Sequence, residues 1–172
     1  MKPQPLTEIA INIIEKRGSF AITEATQQIL QSKYNDGKIS EALKYYAKTI
    51  FPRVLPIFPA LVNLSCKAVG GKTEQTKSVA MAMMLITASG DIHDDIIDKS
   101  TSKFGRQTVF GKYGKDITLL AGDVLLIQGM SLLQKNSASL PLELRTDISD
   151  LITKSMFELA EAEASETCLW KK

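Results

Sequence analysis

Residues 90–100, GDIHDDIIDKS, hold four aspartates and the only histidine of the chain. On a helix, Asp94 and Asp98 are four apart and share a face. Asp95 is turned from them by about 100°. Such a set of carboxylates can hold a hard cation that prefers oxygen ligands. Mg²⁺ is the natural candidate, because it takes one or two carboxylates and completes its shell with substrate phosphates and water. The plain alternative is a solvated acidic helix end. It is weakened here because the carboxylates continue a largely apolar helix instead of lying on a charged face. Two other metal motifs do not fit. A calcium loop needs a glycine at its sixth position and a closing glutamate. A His-Asp phosphohydrolase needs further histidines. His93 by itself reads as a hydrogen-bonded packing residue.

The elements that must carry this cluster read as helix after helix. Residues 6–16 place Ile9, Ile13 and Ile14 on one face, and Gly18 is expected to end that helix. A second helix is expected over 19–31, then a turn at Asn35-Asp36-Gly37. Ser40 can cap the next helix, with Leu43, Tyr46 and Ala47 inward. Pro56 and Pro59 bend the start of the segment 54–69, and Gly70-Gly71 close it. Thr73 opens a long apolar helix, with Ala80, Met83, Met84 and Thr87 at helical spacing, which ends in the aspartates. One or two helical turns over 109–113, a central helix over 117–134, a loop at 136–139 and a last helix over 142–169 complete the pass. No segment alternates with period two. The fold class is all-α, an antiparallel helical bundle, and 1–172 reads as a single domain.

Composition sets the bounds. The chain has 172 residues, enough for one sizeable core, with 44% hydrophobic and 23% charged residues. A formal net charge of +2 gives no argument for nucleic acid or a membrane surface. Cys66 and Cys168 lie far apart without metal-ligand spacing, and a reduced, cytoplasmic setting is the default. MKPQPLTEIA has no apolar signal core. The uncharged stretch 78–90 is short of the roughly 20 residues that a transmembrane helix needs. No transmembrane segment is expected.

The residues after the cluster add a composite signal. HDDIIDKSTSKFGRQTVFGKYGKDITLLAGDVLL, residues 93–126, resembles the trans-isoprenyl (polyprenyl) diphosphate synthases. That family shows HDDxxD at a helix end, a basic loop ending in RRGxPT, a short helix with a K-[FY]-G ending, and an AGD that starts a central helix. The likeness extends more loosely over about 70–163 and takes in ELAEAEASE, residues 158–166, where the family has an EGE-like segment. A class I terpene cyclase, which shares the DDxxD chemistry, is a lesser alternative; the Lys-Tyr-Gly and Ala-Gly-Asp continuation argues against it.

The resemblance implies an isoprenoid-synthase bundle around a deep cavity, with two aspartate-rich motifs at its mouth and Mg²⁺ between them. Asp94, Asp95 and Asp98 would ligate the metal and with it the diphosphate of an allylic substrate. Lys103, Arg106 and Arg53 would contact diphosphate oxygens. Loss of diphosphate leaves an allylic cation, which isopentenyl diphosphate attacks to lengthen the chain. Gly90 and Ser89, then Ile86 and Met83, would line the tail cavity. Their small or adaptable side chains imply a geranylgeranyl or longer product. The family also implies a homodimer or a complementing subunit.

The departures are specific. Lys103 and Phe104 stand where the family has an arginine pair. IFPRVLP, residues 50–56, keeps only Arg53 and Pro56 of GGKRxRP. Asp91 stands where the family has an apolar residue. Family members are about twice as long, and TDISD at 146–150 lacks the second DDxxD pattern. The chain is therefore expected to be incomplete at its C-terminus: a fragment of a prenyltransferase, a partner-completed half, or a non-catalytic prenyl-synthase-like subunit.

Overall fold

The computed structural model describes residues 5–31 and 37–169. Helices α1 (Leu6–Gln31), α2 (Lys38–Thr49), α3 (Ile57–Ala68), α4 (Lys77–Ile97), α5 (Val109–Tyr113), α6 (Lys115–Ser137) and α7 (Leu142–Leu169) follow one another. Short 3₁₀ turns at Phe51–Arg53 and Thr73–Thr76 precede α3 and α4. The strands β1 (Ser102–Lys103) and β2 (Arg106–Gln107) pair as an antiparallel hairpin. The chain divides into two compact units, residues 1–133 and 134–172.

The first unit packs α1 against α3, α4 and α2. Its core is built from Ala21, Ala25 and Ile29 of α1, Leu43, Tyr46 and Ala47 of α2, Met84, Leu85, Ala88 and Ile92 of α4, and Ala121 and Leu125 of α6. The many alanines let helix backbones approach closely. Asn63 Nδ2 donates to Thr76 Oγ1 at 3.3 Å where α3 meets the turn before α4, while the buried Asn63 Oδ1 accepts no hydrogen bond.

The helix α4 is held to α6 by a repeated device. A Cβ at Gly122 would collide with the His93 ring, and one at Gly129 would stand 2.7 Å from Ile86 Cγ1. The two glycines are seven residues apart, as are the two side chains they admit, and the order is reversed between the helices. Glycine thus opens two holes, two turns apart, for two side chains of an antiparallel neighbour. By length and composition α6 passes as a membrane span among the described residues. Here it is a packing helix of the bundle, with Thr118, Ala121, Gly122, Leu125 and Gly129 buried.

In the second unit no described residue of α7 is buried, and Leu142, Leu151, Phe157 and Leu159 are exposed. TDISD and ELAEAEASE both lie within this helix.

Several local expectations change. Gly18 does not end a helix; α1 runs through it for 26 residues. The reason is a close approach, since a Cβ there would collide with the Pro56 carbonyl oxygen. The N-cap of α2 is Gly37, not Ser40, and no side chain caps it. Asn35 and Asp36 lie outside the described residues. α6 continues through Asn136 to Ser137. Gly70, at φ 83°, does close the segment after α3.

Two glycines of opposite purpose give a test. Alanine at Gly18 gains helix propensity but meets backbone that cannot yield, so Gly18→Ala should destabilise by about 1–3 kcal/mol. Gly90, inside α4, has open space where its Cβ would be. Gly90→Ala should therefore stabilise by about 0.5–1 kcal/mol. Urea titration of both variants checks the signs, and a stabilised Gly18→Ala would contradict the packing described.

Candidate active site

The last three turns of α4 carry Asp91, Asp94 and Asp95, and Asp98 is its C-cap residue, its N–H donating to the Asp94 carbonyl at 2.9 Å. The helix gives the four carboxylates different surroundings. Asp98 is exposed, Asp94 and Asp91 are half-buried, and Asp95 is buried at 2% exposure. Asp94 and Asp98 lie one turn apart on one face of the helix, and Asp95 is turned toward the core.

A cation comes from the hairpin that follows. Lys103 Nζ lies 2.6 Å from Asp91 Oδ1 and 3.4 Å from Asp95 Oδ1. The shorter contact is a charge-assisted hydrogen bond. The longer one is an ion pair without hydrogen-bond geometry. The other Asp91 oxygen accepts from Tyr46 Oη at 3.0 Å. Tyr46 in turn stacks on Phe51, ring centres 5.5 Å apart. Phe51, Tyr46, Asp91, Lys103 and Asp95 thus form one chain of contacts, from the turn after α2 to the acidic end of α4.

Burial decides the charge states. Desolvation pushes the Asp95 carboxyl up to about 6; Lys103 pulls it back, and Asp91 and Asp94 add to the rise. Burial alone would lower Lys103, but its hydrogen bond to Asp91 and the charges of Asp91 and Asp95 outweigh that and raise it. Lys103 is therefore a cation at neutral pH. Burial, followed by the Asp91 charge, raises the Tyr46 hydroxyl, which stays protonated and can donate.

The hairpin is pinned at both ends. Its turn residues Phe104 and Gly105 have φ of 53° and 70°. Two successive positive φ values suit a tight two-residue turn, and Phe104 accepts a strained conformation there. Thr108 Oγ1 donates to the Ser100 carbonyl at 2.7 Å and accepts from the Gly111 N–H at 2.9 Å, so one hydroxyl closes the loop and caps α5. Tyr45 Oη donates to the Gln107 carbonyl at 2.7 Å. The Lys112 ammonium sits 3.9 Å from the Tyr45 ring centre.

The remaining site residues are placed as follows. Arg106 is on β2 and exposed. Arg53 ends the 3₁₀ turn and donates to the Thr49 carbonyl, a capping contact at the end of α2. His93 Nε2 lies 3.3 Å from both the Leu119 carbonyl and Asp123 Oδ1, a packing contact between α4 and α6. Gly90 opens to space, whereas Ser89 is buried at 2% exposure beside Ala88 and Ile92. Ile86 and Met83 are half-buried, with Ile86 against Gly129. Tyr46 was legible only as an inward packing residue and Asp123 only as the last residue of the AGD segment; neither pointed to its partner. Asp91 did carry a signal, as a charge in an apolar position.

Magnesium can be tested against these donors. Asp94 and Asp98 offer hard oxygen on one face, which suits an ion completed by phosphate and water. Asp95 is committed to Lys103. Among the described residues no three His, Cys, Asp or Glu side chains are already grouped to hold a metal. The donors fit a two-carboxylate site and not a preassembled three-carboxylate one.

Comparison with known proteins places this geometry in a family. The family model described as "Polyprenyl synthetase" matches residues 22–172. The chain is 30% identical over 106 residues to the geranylgeranyl diphosphate synthase of Sulfolobus acidocaldarius, covering 62% of this chain and 32% of the relative. It is 29% identical over 110 residues to heptaprenyl diphosphate synthase component 2 of Geobacillus stearothermophilus, covering 64% and 33%. The solved geranylgeranyl pyrophosphate synthetase from Pyrococcus horikoshii Ot3 superposes with a TM-score of 0.80 at 25% identity, covering 98% of this chain and 49% of that one. The matched segments thus amount to about a third of the curated relatives' length and half of the solved chain's. With the match running over all but the first 21 residues, the chain belongs to the polyprenyl synthetase family.

Proposed function

We propose that this chain supplies the first aspartate-rich half of a prenyltransferase site, which condenses an allylic diphosphate with isopentenyl diphosphate. The observation that carries the reading is the end of α4. Asp94 and Asp98 stand one turn apart on one face, and the hairpin that follows brings Lys103 back against Asp91 and Asp95 of the same helix. Mg²⁺, when bound, would neutralise the departing diphosphate as a Lewis acid. Asp94 and Asp98 would orient that ion, with Asp95 behind them. Arg106 and Arg53 are the candidate diphosphate contacts. Lys103 joins them only by leaving Asp91 and Asp95. The apolar faces of α4 would keep water from the allylic cation. The reading includes a cytoplasmic setting.

A second reading, a subunit completed by a partner, is favoured by a specific observation. Leu119, Leu120, Ile127 and Met130 of α6 are exposed, with Ile127 at 65%. Apolar surface of this kind fits association. A relative bears the name component 2 of a heptaprenyl diphosphate synthase. Both readings include assembly, as a homodimer or with a complementing subunit. Sedimentation should show a species heavier than the monomer; a stable monomer at high concentration contradicts assembly.

Diphosphate binding tests the main reading. Calorimetric titration with farnesyl diphosphate and Mg²⁺ should give binding that Asp94→Ala and Asp98→Ala each abolish, with helix content unchanged. Equal binding in both variants removes the site. Met at Arg106 or Arg53 should each weaken binding by roughly 1.5–3 kcal/mol, the range for a charged hydrogen bond.

Product length follows from the open side of α4. The proposed tail path runs from Asp94 past Gly90 toward Ile86 and Met83, with Ser89 at its inner edge, and gives a geranylgeranyl or longer product. Because Ser89 is buried, the informative substitution is Gly90→Phe, which places the ring in open space. In the complete assembly it should shorten the product by at least one isoprene unit on chromatography. An unchanged distribution would put the floor of the cavity elsewhere.

A further inference from the structure

Lys103 stands in the family's arginine pair, where the resemblance implies a diphosphate contact, yet its ammonium is turned inward. It is 2.6 Å from Asp91 and 3.4 Å from Asp95, and its side chain is 27% exposed. Asp91 holds it there with one oxygen and is itself oriented through the other by Tyr46. The resemblance implies an apolar residue at the position of Asp91, so this clamp departs from the pattern that the resemblance implies. The Asp95 oxygen nearest the ammonium is buried and accepts no hydrogen bond. Its charge is balanced by Lys103 at a distance and not by a close donor. A divalent ion drawn to that oxygen would stand within a few ångströms of an ammonium held in place by Asp91, and the two cations repel through a partly desolvated medium.

We propose that Lys103 is an internal counter-cation of the aspartate cluster, set in place by Asp91 and Tyr46. It neutralises Asp95, confines a metal to Asp94 and Asp98, and lets the helix end fold stably without any metal. Asp91 is then a positioning residue that acts through Lys103. The inference rests on the reading of Asp94, Asp95 and Asp98 as a cation site. It adds that Asp95 is already balanced by the chain's own charge.

The competition has a direct consequence: removing the clamp should improve metal binding. Removing Lys103 alone would strand two carboxylates, so both halves of the pair are replaced. A buried ion pair exchanged for apolar residues of similar volume is often tolerated. The probe is Mn²⁺ alone, titrated by electron paramagnetic resonance into the full chain without diphosphate, with melting followed in chelator and in Mg²⁺. The wild-type chain should melt at the same temperature in both. Asp91→Leu/Lys103→Met should bind Mn²⁺ at least tenfold more tightly, and Mg²⁺ should raise its melting temperature. Lys103→Arg, which keeps the cation, should behave as wild type. Equal Mn²⁺ affinity in wild type and double variant overturns the proposal, whether both bind or neither does.

Asp91→Asn guards against a double variant that does not fold. It keeps an acceptor for Tyr46 and removes the charge that holds Lys103, and it should raise Mn²⁺ affinity by an intermediate factor. Unchanged affinity overturns the proposal. Farnesyl diphosphate binding lost in Asp94→Ala, together with equal Mn²⁺ affinities here, would overturn the counter-cation and leave the prenyltransferase reading standing.

Discussion

Four carboxylates within eight residues at the end of one helix set the constraint that the surrounding structure answers. Their repulsion would fray the last turns of α4. The fold relieves it by giving each carboxylate a different surrounding. Asp98 is left in solvent, Asp94 is half-buried one turn before it, Asp91 is tied to Tyr46 and Lys103, and Asp95 is buried against the Lys103 charge. The hairpin that brings Lys103 back is fixed by Thr108 and by Tyr45, and Tyr45 and Tyr46 are neighbours on α2. One helix therefore holds both the lysine-bearing loop and the carboxylate that the lysine meets.

The same helix must be firmly seated if its end is to present charge to a ligand. The seating is steric. Gly122 and Gly129 of α6 receive His93 and Ile86, and the first of these contacts lies beside Asp94 in the sequence. His93 is thereby explained without chemistry. Its ring fills a hole in α6 and meets the Leu119 carbonyl and Asp123 at 3.3 Å. The AGD segment thus keeps a packing role here: its glycine admits the histidine and its aspartate meets the ring.

Much of this was legible in the sequence, for reasons that are local. Helical spacing and terminators gave the bounds of α5 and α7, and the apolar period gave the course of α4 into the aspartates. Gly18 was misread because glycine has two uses, ending a helix or admitting a neighbour, and only the tertiary structure shows Pro56 against it. That the helix carries the aspartates to its end was legible, and a spacing of four puts Asp94 and Asp98 on one face of it. The Tyr46–Asp91 bond was not, since its partners are 45 residues apart and no local pattern links them. Likewise the placement of Ser89 in the core and Gly90 in the open depends on which neighbours α4 meets, which periodicity alone leaves undecided.

The proposed metal site is Asp94 with Asp98, and not the buried Asp95. Diffraction from crystals grown with Mn²⁺ and inorganic pyrophosphate, using the anomalous signal of manganese, locates the ion without assumption. An ion is expected within ligand distance of Asp94 and Asp98 carboxylate oxygens, with Lys103 still on Asp91. An ion on Asp95, with Lys103 swung out to the pyrophosphate, would contradict that assignment.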